Sequence, residues 1–249
     1  MIDTHTHLNF IDFEPDLSDV LSRMKDAGVI SAIVVGTDDE SNISAINLAN
    51  QYEQLYAAIG IHPSDVKGDF DISDLKNLTK SPKVVAIGEV GLDYSYDVDH
   101  GLQARAFEEF MALSAQSNLP LIIHCRDAMD DLITVLSKSN QVTGVVHCFT
   151  GTLAQANRLI ALGLHISFTG MITYPKNEEL RQVILNLPHD KVLVETDCPF
   201  LPPQSKRGKR CEPKDMVEVA AAIGQIWDKN VEYVDKVTSD NARRLFKIK

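Results

Sequence analysis

The chain is short of the residues that mark several protein classes. Its 249 residues include four cysteines and one tryptophan, and aromatics make up only 6%. Cys125, Cys148, Cys198 and Cys211 form no C-x-x-C pair and show no small-scaffold spacing, which sets aside a disulfide framework and thiolate zinc and points to reduced thiols. No apolar run approaches the ~18 residues that cross a bilayer. Met1-Ile2-Asp3-Thr4-His5 lacks the basic region and apolar stretch of a secretory signal. A soluble cytoplasmic protein with no membrane partner is expected. No G-x-G-x-x-G or Walker sequence is present, so nothing marks a glycine-rich phosphate loop. Positive charge is scarce as well. The 24 Lys and Arg against 35 Asp and Glu leave a formal net charge of −11, which excludes nucleic-acid binding through a broadly basic surface. An acidic enzyme acting on a polyanion needs local positive charge, and bound divalent metals can supply it.

What is present is a regular alternation. Short β-rich runs fall at Ile2-Asp3-Thr4, Ser31 to Val35, Leu55 to Ile59, Val84 to Ile87, Leu121 to Ile123, Gly144 to Val146, Leu164 to Phe168 and Val192 to Val194. Between them lie helical patterns such as Leu17-Val20-Leu21-Met24 and Ala106-Phe107-Phe110-Met111-Ser114. Strands alternating with helices imply parallel pairing through right-handed crossovers. Eight such units in this length, without a linker or an internal repeat, predict a single α/β domain over 1–249. Its fold is a (β/α)8 TIM-like barrel rather than an open doubly wound sheet.

Barrel chemistry sits at the C-terminal ends of the strands. Seven polar residues fall there: His5 and His7, His62, Glu89, His124, His147 and Asp197. His100, His165 and His189 fall instead at a helix start, a strand opening and a loop. Side chains at i and i+2 of an extended segment point the same way, so His5 and His7 can converge on one ion. Taken alone, His124 and His147 each read more readily as a core histidine bonded to backbone. Glu89 and Asp197 are harder to place that way, because a charged group at the end of a buried strand needs a partner or a metal. Glu195 lies deeper in its strand and is set aside as a ligand. Nitrogen and oxygen donors in this mixture suit a borderline transition metal or a two-metal site, with a carboxylate bridging two divalent ions and a bound water as nucleophile for phosphodiester hydrolysis.

Six ordered motifs extend the pattern: Asp3-Thr4-His5-Thr6-His7-Leu8, Gly60-Ile61-His62-Pro63, Gly88 to Tyr94, His124-Cys125-Arg126-Asp127, His147 to Gly151 and Glu195 to Leu201. With Asn241 to Phe246 near the C-terminus, they make the chain resemble the TatD/YcfH family of metal-dependent deoxyribonucleases from end to end. The resemblance implies a barrel of the amidohydrolase superfamily, with His5, His7, Glu89, His124, His147 and Asp197 holding two divalent ions (Mg2+, Mn2+ or Zn2+). It implies His62 near the scissile phosphate, with Glu89, Asp197 and His62 as the catalytic groups. DNA is the implied substrate, cleaved as an exonuclease on single-stranded ends. A related branch removes D-amino acids from mischarged tRNA, and the motifs do not separate the two. One departure stands out. In Arg207-Gly208-Lys209-Arg210-Cys211-Glu212-Pro213 the family pattern expects Asn where Cys211 stands, and a thiol cannot reproduce an amide's hydrogen bonds.

Several supporting residues carry two readings. Arg126 can grip a phosphate bidentately or pair with Asp127 or Asp130. Arg207, Lys209 and Arg210, with Lys206, form the densest basic cluster, which either borders the site and binds substrate or is a solvated loop. Asp93 and Tyr94 either orient a ligand histidine or stack on a base, or they cap the next helix. Phe149, Phe168 and Phe200 either flank a nucleobase or pack the core. The sequence sets no oligomeric state, and a monomer is compatible with it.

Overall fold

The computed structural model describes residues 1–68, 70–139 and 142–249. Eight strands run β1 (Ile2–Thr6), β2 (Ser31–Val35), β3 (Leu55–Ile59), β4 (Val84–Asp93), β5 (Leu121–Arg126), β6 (Gly144–Val146), β7 (His165–Phe168) and β8 (Val192–Val194). Each pairs in parallel with the next, in sequence order. The helices between them are α1 (Leu17–Asp26), α2 (Asp39–Gln51), α3 (Ser73–Leu78), α4 (His100–Ser117), α5 (Met129–Leu136), α6 (Leu153–Ala161) and α7 (Glu178–Asn186). Two more, α8 (Met216–Trp227) and α9 (Val231–Phe246), follow β8. This is the expected (β/α)8 barrel.

The last edge closes between β1 and the segment after β8. Asp197 N–H donates to His5 O (2.9 Å) and His7 N–H to Cys198 O (2.8 Å). The Asp3 carboxylate fastens the seam, accepting from Thr196 N–H at 3.0 Å and from Thr196 Oγ1 at 2.6 Å.

Alternation along the strands sorts the core into two layers. Val34 and Ile59 face outward onto Val20, Ala45 and Phe107 of the helices. Ile33, Val35, Ala58, Ile122, Val145 and Leu193 face inward, in one cluster with Ala242, Leu245 and Phe246 of α9. The end of α9 lies by the loops that enter β5 and β6, where Lys247 Nζ reaches Asn118 O. It therefore covers the floor of the barrel, opposite the strands' C-terminal ends.

Two irregularities aim the site. β1 carries one extra residue against β2 between Asp3 and Thr6, and β4 one extra against β5 between Ile87 and Val90. Such bulges shift the inward-facing parity by one. Ile87 and Val90 both pack outward, so Glu89 between them turns inward. Beyond the bulge β4 stays paired to β5 only because residue 91 is glycine. Its φ is +147°, and a Cβ there would lie 2.0 Å from His124 O.

Candidate metal centre

Five histidines and two carboxylates from six strand ends meet inside the barrel mouth. Glu89 is central. Its Oε1 lies 2.7 Å from His124 Nδ1 and 2.9 Å from His147 Nε2. Its Oε2 lies 3.4 Å from His5 Nε2 and 3.6 Å from His7 Nε2. Asp197 Oδ1 approaches the same two imidazoles at 3.6 and 3.5 Å. The i, i+2 pair converges as the extended spacing predicts, with His5 Nε2 and His7 Nε2 3.2 Å apart. His62, just after β3, brings its Nε2 to 3.7 Å from Glu89 Oε1.

Partners outside this ring fix its orientation. His7 Nδ1 donates to Val35 O at 3.1 Å, which turns Nε2 inward toward Glu89 and Asp197. Asp93, the last residue of β4, sets its Oδ2 2.8 Å from His124 Nε2 while its Oδ1 accepts from Ser95 N–H and Oγ. Of the two readings for Asp93, the structure selects the orienting one. Glu195 accepts from Cys148 N–H at 2.6 Å and stands 3.4 Å from His147 Nδ1. Behind His62, Ser64 Oγ sits 2.6 Å from Nδ1 and donates to Asp65 Oδ2.

Burial alone would raise the Glu89 carboxyl, but His147 and His5, with hydrogen bonds from His124 and His147, outweigh it and hold it well below the carboxylate range. Burial likewise opposes ionisation of Asp93, and the bonds from His124 and Ser95 bring it to about 2. His62 moves the other way. Burial takes it down to about 4 against the pull of Glu89, so its imidazole is neutral at pH 7.

This donor set fits a metal. Among the described residues, three groups have ligand atoms within 4.8 Å of one another: His5, Glu89 and His147; His5, His7 and Asp197; and His62, Asp93 and His124. His5 Nδ1 is buried without a hydrogen-bond partner, and its ring stacks on His147 at 4.0 Å. Buried imidazoles grouped around an ionised carboxylate are the ligand chemistry of borderline divalent ions. The third group was not foreseen from sequence, because Asp93 was taken to lie in a loop.

Above the cluster a cavity of about 750 Å3 opens at the strands' C-terminal face, with His62, Glu89, His124, His147 and Asp197 among its walls. That size suits a small ligand or one residue of a polymer. Arg126 lines the cavity, exposed. Neither foreseen ion pair forms, and Asp130 instead meets Arg158.

The basic loop expected to border the site is not a free patch. Lys206 is held by the buried Asp215. Arg210 is clamped by Asp16 (2.8 Å) and Glu212 (3.1 Å) over the Phe13 ring. Arg207 lies over Tyr174, and Lys209 alone of the four has no side-chain partner among the described residues. None of the four is among the cavity's lining residues. Cys211, where Asn was expected, is buried in apolar packing, and its N–H donates to Pro199 O. Phe149 and Phe168 are core residues, whereas Phe200 is exposed. Tyr94 stacks on His100.

A closed parallel barrel that gathers imidazoles and carboxylates at the C-terminal ends of its strands is the architecture of barrel-type metal-dependent hydrolases. The family described as TatD related DNase matches residues 2–247. Among relatives, the uncharacterized metal-dependent hydrolase YabD of Bacillus subtilis (strain 168) is 39% identical, covering all of this chain and 99% of its own. The 3'-5' ssDNA/RNA exonuclease TatD of Edwardsiella piscicida is 33% identical with full coverage of both. The crystal structure of YjjV, a TatD homologue from Escherichia coli K12, superposes with a TM-score of 0.94 at 34% identity, covering 100% of this chain and 98% of that one. The chain belongs to the TatD family and is a metal-dependent hydrolase. Among the described residues, no helix is long and apolar enough to cross a membrane.

Proposed function

We propose that the protein is a deoxyribonuclease that hydrolyses phosphodiester bonds from single-stranded ends with divalent metal. The observation that carries this reading is the buried Glu89 carboxylate, in reach of four imidazoles with Asp197 beside it, at the base of a cavity open to a flexible strand. The relative named as an exonuclease on single-stranded DNA and RNA supports it.

In this reading His5, His7, Glu89, His124, His147 and Asp197 would hold up to two divalent ions, Mg2+, Mn2+ or Zn2+. Such ions supply an acidified water and draw charge from the phosphoryl oxygens. Asp197 orients the attacking water and takes its proton, being kept ionised by hydrogen bonding from His7 and by His5 and His147 although burial opposes it. His62 faces the leaving group as a neutral imidazole. Arg126 holds a neighbouring phosphate bidentately, with Lys209 and Arg207 as outer contacts. Arg210, clamped by two carboxylates, takes no direct part. With a net charge of −11 the protein repels a polyanion at distance, so few phosphates are engaged. Affinity then falls with salt less steeply than the roughly 10³–10⁵ lost between about 50 and 200 mM by proteins making ~6–10 contacts.

The test is hydrolysis of end-labelled single-stranded DNA with saturating Mg2+ or Mn2+, beside a D-aminoacyl-tRNA. Shortening of the DNA from one end is expected. Inert DNA with rapid deacylation would overturn the reading in favour of the tRNA branch.

A further inference from the structure

One wall of the cavity is aromatic, and hydrolysis does not use it. Phe10, just beyond β1, lies face to face on His7 at 4.5 Å. Phe200 stands edge-on to both rings, 6.2 Å from Phe10 and 6.1 Å from His7. Its N–H donates to Asp197 O at 2.9 Å, a tight turn after β8 that sets both Asp197 and Phe200 on the cavity wall. Phe200 is nonetheless 50% exposed. β1 and β8 lie across an eight-stranded barrel from β4 and β5, so this wall faces Arg126 at the end of β5. A phosphodiester in the cavity therefore has imidazoles and carboxylates below it, a guanidinium on one side and two aromatic rings on the other.

We propose that the Phe10–Phe200 wall is a nucleobase subsite: the base next to the scissile phosphate stacks on Phe200, with Phe10 backing the pocket. This rests on the reading of the chain as a nucleic-acid hydrolase and deepens it. Every base presents a π-face, so recognition is tolerant of sequence. A base can enter only when it has left its own stack, which gives single strands and frayed ends their preference. The Phe10 ring is pinned on His7, so the two are placed before substrate arrives and little ordering cost falls on binding.

Base–aromatic stacking corresponds to a loss of about ten- to a hundredfold in affinity when the ring is removed. Phe200 packs no core, so Phe200→Ala should fold as wild type. With Mg2+ present, wild-type protein should bind deoxyadenosine 5'-monophosphate at least about tenfold more tightly than 2-deoxyribose 5-phosphate by calorimetry. Phe200→Ala should erase that difference and Phe200→Trp should keep it. On single-stranded DNA, Phe200→Ala should raise KM, and an oligonucleotide abasic at the reacting nucleotide should show no further change between the two proteins. Equal binding of the two phosphates by wild type overturns the subsite. So does a Phe200→Ala penalty that is the same with and without the base. A base preference in wild type alongside no hydrolysis of DNA upholds the subsite and removes the nuclease reading instead.

Discussion

Replacing Asp93 by Asn tests whether the centre depends on the carboxylate behind His124. The perturbation is small in shape: the side chain stays buried, and the bonds from Ser95 can be kept by the amide oxygen. What changes is the 2.8 Å contact to His124 Nε2. A carboxylate there holds the proton on Nε2, so that Nδ1, which donates to Glu89 Oε1 at 2.7 Å in the metal-free site, is the nitrogen that can give up its proton to an ion. An amide offers either a weaker acceptor or a competing N–H. Charge-assisted hydrogen bonds contribute about 1.5–3 kcal/mol, and loss of such a partner behind a ligating histidine typically weakens metal affinity about 10- to 100-fold. Calorimetric titration of chelator-treated protein with Mn2+ or Zn2+ should show that weakening with the number of ions per chain unchanged. Wild-type affinity in Asp93→Asn would refute the orienting role. A drop in the number of ions bound would instead make Asp93 a direct ligand, as its grouping with His62 and His124 allows.

Glu89→Gln should lower turnover about a hundredfold or more in metal-reconstituted protein with the circular dichroism unchanged; near wild-type rate would exclude a bridging role. His62→Ala should depress turnover by about 10²–10⁴ while metal content by atomic absorption stays constant, and a parallel loss of metal would reassign His62 as a ligand. His165, opening β7, is held down to about 4 by burial and then by Lys191 and Arg244, whereas the unfolded value is about 6.5. The unfolded chain binds the extra proton between these values, so this contribution to stability is complete above about pH 6.5 and falls away toward pH 4, by no more than about 3 kcal/mol. Denaturant titrations of His165→Gln should show a flatter decline over that range; an unchanged slope would mean His165 does not titrate there.

Much of this was legible in the sequence because barrel strands are short, apolar and evenly spaced. β2, β3, β6 and β8 end where their apolar runs end. β4 was read as stopping at Ile87 and continues to Asp93, because Gly88 and Glu89 look like a strand terminus. Pairing with β5 resumes at Val90, and the close approach of Gly91 to His124 O lets it run on. That extension concealed Asp93, which lies four residues beyond Glu89 and therefore on the same face of the extended strand. The bulges in β1 and β4 left no signature in composition. The basic loop misled because a run of charges does not show which of them are paired: Glu212 and Asp215 neutralise it from close by, and Asp16, in the approach to α1, clamps Arg210 from far off in sequence. Charge density along the chain does not report charge in space.

The seam between Asp3 and Thr196 joins residues 193 positions apart. His5 and His7 stand at the end of the first strand and Asp197 just past the eighth, and the same seam that closes the barrel sets them side by side. Closure of the barrel and completion of the candidate centre are therefore one event, and a chain cut before β8 loses both together.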